Sequence, residues 1–433
     1  MLDMIGVGPF ITLPLLLGAM GGPQAMLGWI CGAALALCDG LVWAELGAAM
    51  PEAGGTYRFL RTIYPGEFGR FLAFLFVFQL MVSAPLSVAS GSIGLAQYAS
   101  FFTRTPAAII AIAAILLAVL LLYRNLAGLR LISSVLWFTV IATIAWILIT
   151  AALFGHWSLA FSLPPSAFHL GRPFFTGLAL AMLITTYDFW GYYNVTFLGA
   201  EVRDPARTIP RAILISIVFV MLLYLAMNTA VLTVLPWRPL LDITSLAPRQ
   251  ALISYFIQTA YTPSLGPATA LLLGKLAAIL IMITAFASIF SLLLGYSRIP
   301  FAAARDGNFF SVFGKLHPTR NFPYISLLYL GAAAILFSFL SLAQVIAALV
   351  TLRIIVQFLL QHIGVMVLRH TQPALPRPFR IWLYPLPPLL ALAGFTFILF
   401  GRQNYQRQLA LAAVVVLLGA IAYAVRKILS GRT

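Results

Sequence analysis

Asp188 is one of ten acidic residues in a chain of 433, and it lies in a stretch that is otherwise apolar and aromatic, TTYDFWGYYN. A charge near the middle of a lipid bilayer is costly unless it is paired or hydrated, so a carboxylate at this position indicates a function. Asp188 could accept a hydrogen bond from a substrate ammonium group or from a cationic substrate side chain. The alternative is a structural salt bridge, with Arg353 as the first candidate partner.

A second unusual charge lies in the segment LVTLRIIVQFLLQHIG, where Arg353, Gln357 and Gln361 recur every four residues and therefore share a face of a predicted helix. A guanidinium this deep in an apolar segment must face a cavity or a carboxylate. Arg353 could bind an acidic substrate, hold a gate shut, or pair with Asp39 or Asp188. Pairing is the interpretation that we favour.

Three further acidic residues are candidates for coupling or gating. Asp39, deep in an apolar segment, is either a proton carrier or a permanently paired contact between helices, and the second interpretation is slightly favoured. Glu45 and Glu201 lie near the ends of apolar segments, opposite loops that contain arginines, and we expect them to form ion pairs of a cytoplasmic gate. Lys275 lies in the outer part of its segment, and we expect its side chain to extend to the membrane surface.

The composition places these residues in a membrane. Apolar residues make up 62% of the chain, charged residues 8%, and the mean hydropathy is +1.02. A bilayer core of about 30 Å needs about 20 apolar residues per helical span, and several runs here are that long. The net charge of +16 does not indicate nucleic-acid binding, because the basic residues lie in short loops between these runs. We expect Cys31 and Cys38, which lie in one span, to be packing residues.

Twelve spans are predicted, and each must be helical because backbone amides in lipid need internal partners. The predicted spans are residues 2–20, 24–50, 68–100, 106–123, 128–154, 174–200, 211–236, 265–298, 323–341, 343–369, 381–400 and 408–428. With these bounds, 18 of the 26 arginines and lysines fall on one side of the membrane and six on the other. The positive-inside rule then places both termini in the cytoplasm.

Two of the spans contain residues that interrupt helices, and they lie five spans apart. The first contains MIGVGPFITLP, with two glycines and two prolines close together, and the sixth contains TTYDFWGYYN. Interruptions at equivalent places in two halves are typical of inverted-repeat transporters with a binding site at the membrane midplane. Non-helical backbone at that depth is tolerated where it lines a cavity.

Five motifs in register resemble those of the amino acid–polyamine–organocation superfamily, closest to its L-type amino acid transporter branch. They are GVGPFITLP in span one, AELGAAMPEAGGTYRFLRTIY after span two, TYDFWGYYN followed by AEVRDPARTIPRAI, SRIPFAAARDGNFFSVFGKLHP after span eight, and LRHTQPALPRPFRIWLYPLPPL after span ten. The resemblance covers nearly the whole chain. It implies an all-α membrane protein of twelve transmembrane helices, with a 5+5 inverted repeat, discontinuous helices 1 and 6, and two further C-terminal helices.

On this fold, residues 1–154 would form the first repeat, 155–173 an extracellular loop, 174–369 the second repeat, and 370–433 spans 11 and 12 with the C-terminus. Relatives carry about ten apolar residues before the glycine motif, so we expect the cytoplasmic half of span one to be shortened here. Many relatives also carry a lysine in span five, where this sequence aligns Thr143.

The resemblance and the interruptions together predict a substrate site. A substrate carboxylate suits free backbone N–H groups at the start of a helix, for which Gly6, Val7 and Gly8 are the candidates; alternatively, these glycines only permit close helix packing. A substrate ammonium suits the carbonyl groups freed where span six unwinds. The candidate residues there are Thr186, Tyr187, Asp188, Phe189 and Trp190, and the two last are candidates for an aromatic lid.

The coupling mechanism stays open at this point. Sodium coupling would use hydroxyl ligands such as Ser288 and Ser291, although serines in membrane helices commonly bond to their own backbone. Proton coupling through Asp39 or Asp188 is an equal alternative, and exchange needs no ion. No cofactor and no resident metal ion are expected.

The function indicated by the sequence is secondary transport of amino acids by alternating access across a bacterial-type plasma membrane, with the lipid bilayer and a small substrate as partners. A permease for polyamines or other amines, with Asp188 and Asp39 as cation acceptors, is the alternative. A channel would not need two matched interruptions. An enzyme would need a catalytic cluster inside the spans, and the sequence contains no such motif.

Overall fold

The computed structural model describes residues 4–52, 54–124, 129–241 and 251–430, with the side chains of 129–137, 198, 200, 201, 429 and 430 left aside. These ranges form an all-α fold and contain no β-strand, in agreement with the predicted class. The helices are α1 (Gly8–Ile11), α2 (Leu13–Met20), α3 (Met26–Ala49), α4 (Thr56–Ile63), α5 (Gly66–Ala99), α6 (Ala107–Tyr123), α7 (Leu129–Phe154), α8 (Trp157–Ala160), α9 (Arg172–Phe189), α10 (Pro205–Val234), α11 (Trp237–Leu241), α12 (Leu252–Arg305), α13 (Tyr324–Phe337), α14 (Leu342–Arg353), α15 (Leu359–Thr371), α16 (Leu386–Phe400) and α17 (Tyr405–Ser430). A 3-10 segment covers Tyr192–Glu201, and a π-helical segment covers Ile354–Phe358.

Six helical segments within these ranges are long and apolar enough to cross a membrane, and four shorter apolar helices accompany them. The long ones are Pro23–Ala49, Gly66–Ala99, Pro205–Val234, Leu252–Arg305, Leu342–Thr371 and Tyr405–Ile428, and the shorter ones are Ala107–Tyr123, Phe138–Phe154, Tyr324–Phe337 and Leu386–Phe400. Each of the ten overlaps one predicted span. The total of twelve spans and the inverted repeat stay predictions.

The predicted interruption of span six is confirmed. Helix α9 ends at Phe189, Trp190 is extended, and Gly191 has a φ of 121° that an L side chain rarely adopts. A 3-10 segment follows to Glu201, so the 174–200 segment is not one continuous helix. Near the other predicted interruption, residues 4–7 form turns and bends, and a helix begins at Gly8.

Helix α12 is longer than its predicted span because it contains a second helix. Its backbone leaves the helical region at Gly266, which has a φ of 76°, and Pro267 follows directly. A proline cannot donate the next helical hydrogen bond, so the chain kinks there. The part after Gly266 corresponds to the predicted span 265–298, and residues 252–265 form a separate helix before it.

Helix α5 lies at the centre of the bundle and α17 at its edge. In an apolar 18-residue stretch of each helix, 83% of the residues are buried in α5 and 17% in α17. Helix α3 approaches α9 closely through glycines: a Cβ added to Gly28 would lie 2.7 Å from the Cβ of Ala181, and one added to Gly32 would lie 2.3 Å from Oγ1 of Thr185. Small residues allow this close packing in membranes, and it fixes the end of α9 against α3.

Candidate functional site

A cavity lies where the start of α1 meets the end of α9, with α5, α12 and α14 as its other walls. Its volume is about 80 Å³, counted as the space open to the centre of a water molecule. One water needs about 10–15 Å³ by this measure, so the space suits a small polar solute. Its lining includes Met4, Gly6, Val7 and Gly8 at the α1 wall, Tyr187, Asp188, Trp190, Gly191 and Tyr193 at the α9 wall, and Ser87, Ser90, Ser288, Tyr296 and Arg353 on the other helices.

The first wall is the start of helix α1. Within the described residues, the backbone N–H groups of Gly6, Val7 and Gly8 donate to no backbone carbonyl. Pro9 occupies the first turn, where its missing N–H costs no helical bond. The amides of Val7 and Gly8 lie at the N-cap and first position of the short helix α1, and the Gly6 amide directly precedes them, so the three form a potential site for an anionic group.

Two tyrosines fix this segment from neighbouring helices. The Tyr98 hydroxyl donates to the Phe10 carbonyl over 2.8 Å, and the Tyr224 hydroxyl donates to the Met4 carbonyl over 2.6 Å. Both tyrosines are fully buried. Ser288 is also close, because a Cβ added to Gly6 would lie 3.3 Å from its Oγ. The α1 wall is therefore held in position before any substrate binds.

The second wall is the end of α9. The Trp190 amide closes the last turn by donating to the Thr186 carbonyl over 3.2 Å. In the described part of the chain, no backbone N–H donates to the carbonyl groups of Asp188 and Phe189. Free carbonyl groups at a helix C-terminus carry its negative end, so they suit a substrate ammonium.

Asp188 lies directly against the start of α1. Its Oδ2 accepts a hydrogen bond from Thr12 Oγ1 over 2.7 Å, and its Oδ1 has no hydrogen-bond partner among the described residues. A Cβ added to Gly8 would lie only 2.1 Å from that Oδ1. The glycine therefore permits the carboxylate to approach the helix backbone, and the cavity contains a buried carboxylate oxygen that is available to a donor.

The favoured pairing of Arg353 with Asp188 or Asp39 is wrong. No carboxylate of the described chain lies within 4.0 Å of the Arg353 guanidinium. Its nitrogens instead donate to four hydroxyl groups, those of Ser83 (3.3 Å), Ser87 (3.1 Å), Tyr193 (2.9 Å) and Tyr296 (3.0 Å). The rings of Trp190 and Tyr296 also lie 5.4 and 5.2 Å from its central carbon. Neutral hydroxyl groups and ring faces satisfy the group without cancelling its charge.

The predicted α9 residues separate into two groups. Tyr187, Asp188 and Trp190 line the cavity; the Tyr187 hydroxyl donates to Ser90 Oγ over 2.9 Å. Phe189 lies instead in an aromatic cluster with Trp29, at 5.5 Å between ring centres, so the lid prediction is wrong for this residue. Thr186 is buried and does not line the cavity. The helical turn explains the position of Phe189, because it lies four residues after Thr185, whose hydroxyl donates to the Gly28 carbonyl of α3.

Gln357 and Gln361 do not share the cavity face with Arg353. Gln357 Nε2 donates to Thr56 Oγ1 over 3.2 Å, and that hydroxyl donates to Gln361 Oε1 over 2.9 Å. The π-helical segment Ile354–Phe358 adds one residue to the turn after Arg353 and rotates the following side chains away. Both glutamines therefore connect span ten to the short helix α4.

Asp39 lies outside the cavity wall, fully buried behind the unwound segment. Its Oδ2 accepts a hydrogen bond from the Tyr192 hydroxyl, and its Oδ1 lies 3.2 Å from Nε2 of His362. No sequence pattern indicates a role for this histidine. Helical spacing cannot identify the partnership, because the two residues are 323 positions apart along the chain and the contact depends on how spans two and ten cross.

The predicted ion pair of Glu45 with loop arginines forms. Glu45 is buried and accepts hydrogen bonds from Arg369 Nε over 2.9 Å and from the Ile381 amide over 2.8 Å. Arg377 Nε lies 3.6 Å from the same carboxylate. The gate role of this contact stays a prediction, and the Glu201 side chain lies outside the described residues.

The proposed ion ligands are not brought together. Ser288 lines the cavity, and its hydroxyl donates to the Thr284 carbonyl over 3.2 Å, whereas Ser291 is exposed and does not line the cavity. Thr143, in the predicted position of the lysine, donates to the Thr139 carbonyl over 2.8 Å. The hydroxyl groups of Ser288 and Thr143 thus bond to their own helices, as serines and threonines in membrane helices commonly do.

Comparison with known proteins gives a consistent result. The family model described as "Amino acid permease" matches residues 1–421. The Serine/threonine exchanger SteT of Bacillus subtilis is 25% identical, over 92% of this chain and 87% of its own length. The Branched-chain amino acid permease BcaP of the same organism is 24% identical, over 92% of this chain and 86% of its own. The Asc-type amino acid transporter 1 of Mus musculus is 26% identical, over 92% of this chain and 73% of its own.

Proposed function

This chain belongs to the amino acid permease family of the amino acid–polyamine–organocation superfamily, a family of multi-pass membrane transporters and not of enzymes, and on that premise we propose that it moves amino acids by alternating access. The membrane is the bacterial-type plasma membrane. Both termini lie in the cytoplasm, because most arginines and lysines fall on that side of the predicted spans.

The observation that carries the proposal is that free donors and free acceptors line the same small cavity. Gly6, Val7 and Gly8 offer amide donors to the substrate carboxylate. Asp188 Oδ1 and the carbonyl groups at the end of α9 offer acceptors to the α-ammonium. A zwitterion satisfies both sets at once, and each set is costly to leave unmatched away from water.

Arg353 favours an amino acid over a polyamine. Its guanidinium lines the same cavity as Asp188 and has no carboxylate partner among the described residues. A diamine would bring two positive charges into a space that already contains one, whereas a zwitterion adds no net charge. The amine permease is therefore the second candidate.

Counterflow in reconstituted vesicles tests the proposal. Vesicles loaded with unlabelled L-serine, L-leucine, L-lysine or putrescine are diluted into the same labelled compound, and tracer entry is measured. Serine and leucine are included because the relatives' names refer to serine, threonine and branched-chain amino acids. We expect entry of at least one of the amino acids. Entry of putrescine alone would establish the second candidate, and no entry of any compound would refute transport of these classes.

Asp188→Asn then tests the site. The amide keeps an oxygen to accept the Thr12 hydrogen bond but removes the charge that faces the ammonium. We expect the half-saturating concentration of every carried amino acid to rise at least tenfold, because a hydrogen bond between charged groups contributes about 1.5–3 kcal/mol. Asp204→Asn, on an exposed residue before α10, is the matched control. Loss confined to lysine would instead indicate that Asp188 recognises substrate side chains.

A further inference from the structure

The imidazole of His362 faces two hydrogen-bond acceptors. Nδ1 lies 2.7 Å from the carbonyl oxygen of Phe358, and Nε2 lies 3.2 Å from Oδ1 of Asp39. Both side chains are fully buried. The carbonyl cannot donate a proton, so the contact at Nδ1 is favourable only when Nδ1 carries hydrogen.

With a neutral imidazole and an ionised carboxylate, the two side chains hold one proton too few to make both contacts favourable. A neutral imidazole has a single N–H, and the Phe358 carbonyl occupies it. Nε2 would then lie 3.2 Å from a carboxylate oxygen with no hydrogen between them, and neither atom has a hydrogen-bond partner among the described residues. One additional proton, on His362 or on Asp39, turns this repulsion into attraction. The opposite tautomer moves the same repulsion to the Phe358 carbonyl.

The neighbouring groups do not supply that proton. Asp39 Oδ2 accepts from the Tyr192 hydroxyl, which stays protonated as a donor. From its own helix, Cys38 and Trp43 flank Asp39; from α16, the Phe395 ring lies 5.5 Å from the imidazole. Arg353 is linked to this region through its hydrogen bond to Tyr193, and Arg369, on the same helix as His362, pairs with Glu45.

We propose that Asp39 and His362 together bind one proton, and that this proton is coupled to transport through Tyr192. The inference rests on the proposed function and names its coupling ion. With the proton bound, the pair is attractive and Asp39 holds Tyr192. When the proton leaves, the carboxylate and the Nε2 lone pair repel each other, and the contact that anchors Tyr192 changes.

The path from the pair to the cavity is short. Tyr192 is the first residue of the 3-10 segment and directly follows Gly191, the point where span six is broken. Gly191 and Tyr193, its neighbours on both sides, line the cavity. Tyr193 also stacks on Trp43, with 4.6 Å between ring centres, and accepts from Arg353. A shift of Tyr192 therefore reaches both the α9 wall and the Arg353 guanidinium.

The decisive experiment uses the wild-type protein in vesicles that contain a pH-sensitive dye. The probes are L-serine and L-leucine, used separately and without sodium. We expect addition of a carried probe to acidify the vesicle interior. An inward proton gradient of one pH unit should also drive accumulation up to about tenfold, the limit for one proton per substrate. Counterflow of the same probe without acidification or accumulation would overturn the inference and leave the proposed function intact. Absence of counterflow for serine, leucine and lysine alike would refute both.

Variants assign the effect to the pair. Asp39→Asn fixes the side chain in a form that resembles the protonated acid. His362→Gln replaces the imidazole with an amide, which does not take up a proton. We expect both to lose gradient-driven accumulation while counterflow continues at a reduced rate. His370→Gln, on the exposed end of the same helix, is the control and should accumulate like wild type. Accumulation that persists in both pair variants would overturn the assignment.

Tyr192→Phe provides a test that leaves the pair in place. It removes the hydroxyl that links Asp39 to the unwound segment and nothing else. We expect counterflow with proton entry per substrate reduced severalfold, because the proton still binds but no longer controls the segment. Unchanged proton entry per substrate would overturn the role of Tyr192. If Asp39→Asn and His362→Gln fail to fold, Tyr192→Phe still tests whether the contact between Asp39 and Tyr192 couples the proton to transport.

Discussion

The closest contact in the candidate site yields the sharpest prediction, the effect of Gly8→Ala. A Cβ at this position would lie 2.1 Å from Oδ1 and 3.2 Å from Cγ of Asp188, and 3.3 Å from Cε1 of Tyr187. Carbon and oxygen atoms in close contact are about 3.3 Å apart, so Asp188 Oδ1 must retreat by about 1.2 Å. The retreat pulls the carboxylate from the Thr12 hydroxyl, which it now contacts at 2.7 Å.

Two costs follow from this retreat. An extra methyl group in a packed interior costs about 1–3 kcal/mol, and a lost hydrogen bond to a charged group costs about 1.5–3 kcal/mol. They overlap, because moving the carboxylate relieves the clash while it breaks the bond. We therefore expect the free energy of unfolding to fall by about 2–4 kcal/mol, and the half-saturating substrate concentration to rise at least tenfold.

Thermal unfolding followed by tryptophan fluorescence and vesicle counterflow measure these two effects. Gly18→Ala is the matched control, because an added Cβ there meets nothing within 4 Å. In Gly8→Ala combined with Asp188→Ala the clash disappears, so the loss of stability should be smaller than the sum of the two single losses by about 1–3 kcal/mol. Transport should stay low, because the carboxylate is absent.

If Gly8→Ala unfolded and transported like Gly18→Ala, the contact between Gly8 and Asp188 would be contradicted. That result would show that Asp188 does not lie against the start of α1. Additive stability losses in the double variant would refute the direct contact while leaving a structural role for Gly8. Recovery of transport in the double variant would refute the ammonium-binding role of Asp188.

Three further substitutions are informative. Arg353→Lys keeps the charge but not the planar fork and has only three N–H donors, so it should lose at least one of the four hydroxyl contacts, lower the unfolding temperature and reduce counterflow at least tenfold. Glu45→Gln should destabilise the protein by about 1–3 kcal/mol, and a double-mutant cycle with Arg369→Gln should show the pair's coupling. Gly32→Ala should lower the unfolding temperature, because its Cβ would lie 2.3 Å from Thr185 Oγ1.

Each of the three has a matched control on the same protein. Arg407→Lys and Glu52→Gln change exposed residues and should leave the unfolding temperature unaltered. Gly295→Ala serves for the glycine, since an added Cβ meets nothing within 4 Å there. Equal effects in a variant and its control would contradict the corresponding contact.

The sequence predicted the helices and the break in span six well, because both depend on local features. Long apolar runs specify helices in lipid, and Gly191 with a φ of 121° marks the point where helix α9 cannot continue. The part of α12 before Gly266 was missed because residues 252–265 are too few to cross a bilayer, and because Pro263, Gly266 and Pro267 near their end are typical of a loop. Local patterns cannot separate one long span from two helices joined by a kink.

The partners of the buried charges could not be predicted in the same way. Spacing along a helix placed Arg353, Gln357 and Gln361 on one face, but the π-helical segment between the first two changed that face. His362 was missed because its partner lies on another span, 323 positions away along the chain. Contacts between distant spans depend on helix crossing and register, which a single sequence does not encode locally.

The hydroxyl partners of Arg353 support the proposal that the cavity binds a zwitterion. If Arg353 had paired with Asp188, the two charges would have neutralised each other, and a substrate would have had to break a buried ion pair before binding. Hydroxyl groups satisfy both instead: one threonine holds one oxygen of Asp188, and two serines and two tyrosines hold the guanidinium. Neutral partners hold the charges in position without cancelling them. The cavity therefore keeps one negative and one positive group, the polarity that a zwitterion complements and that a diamine does not.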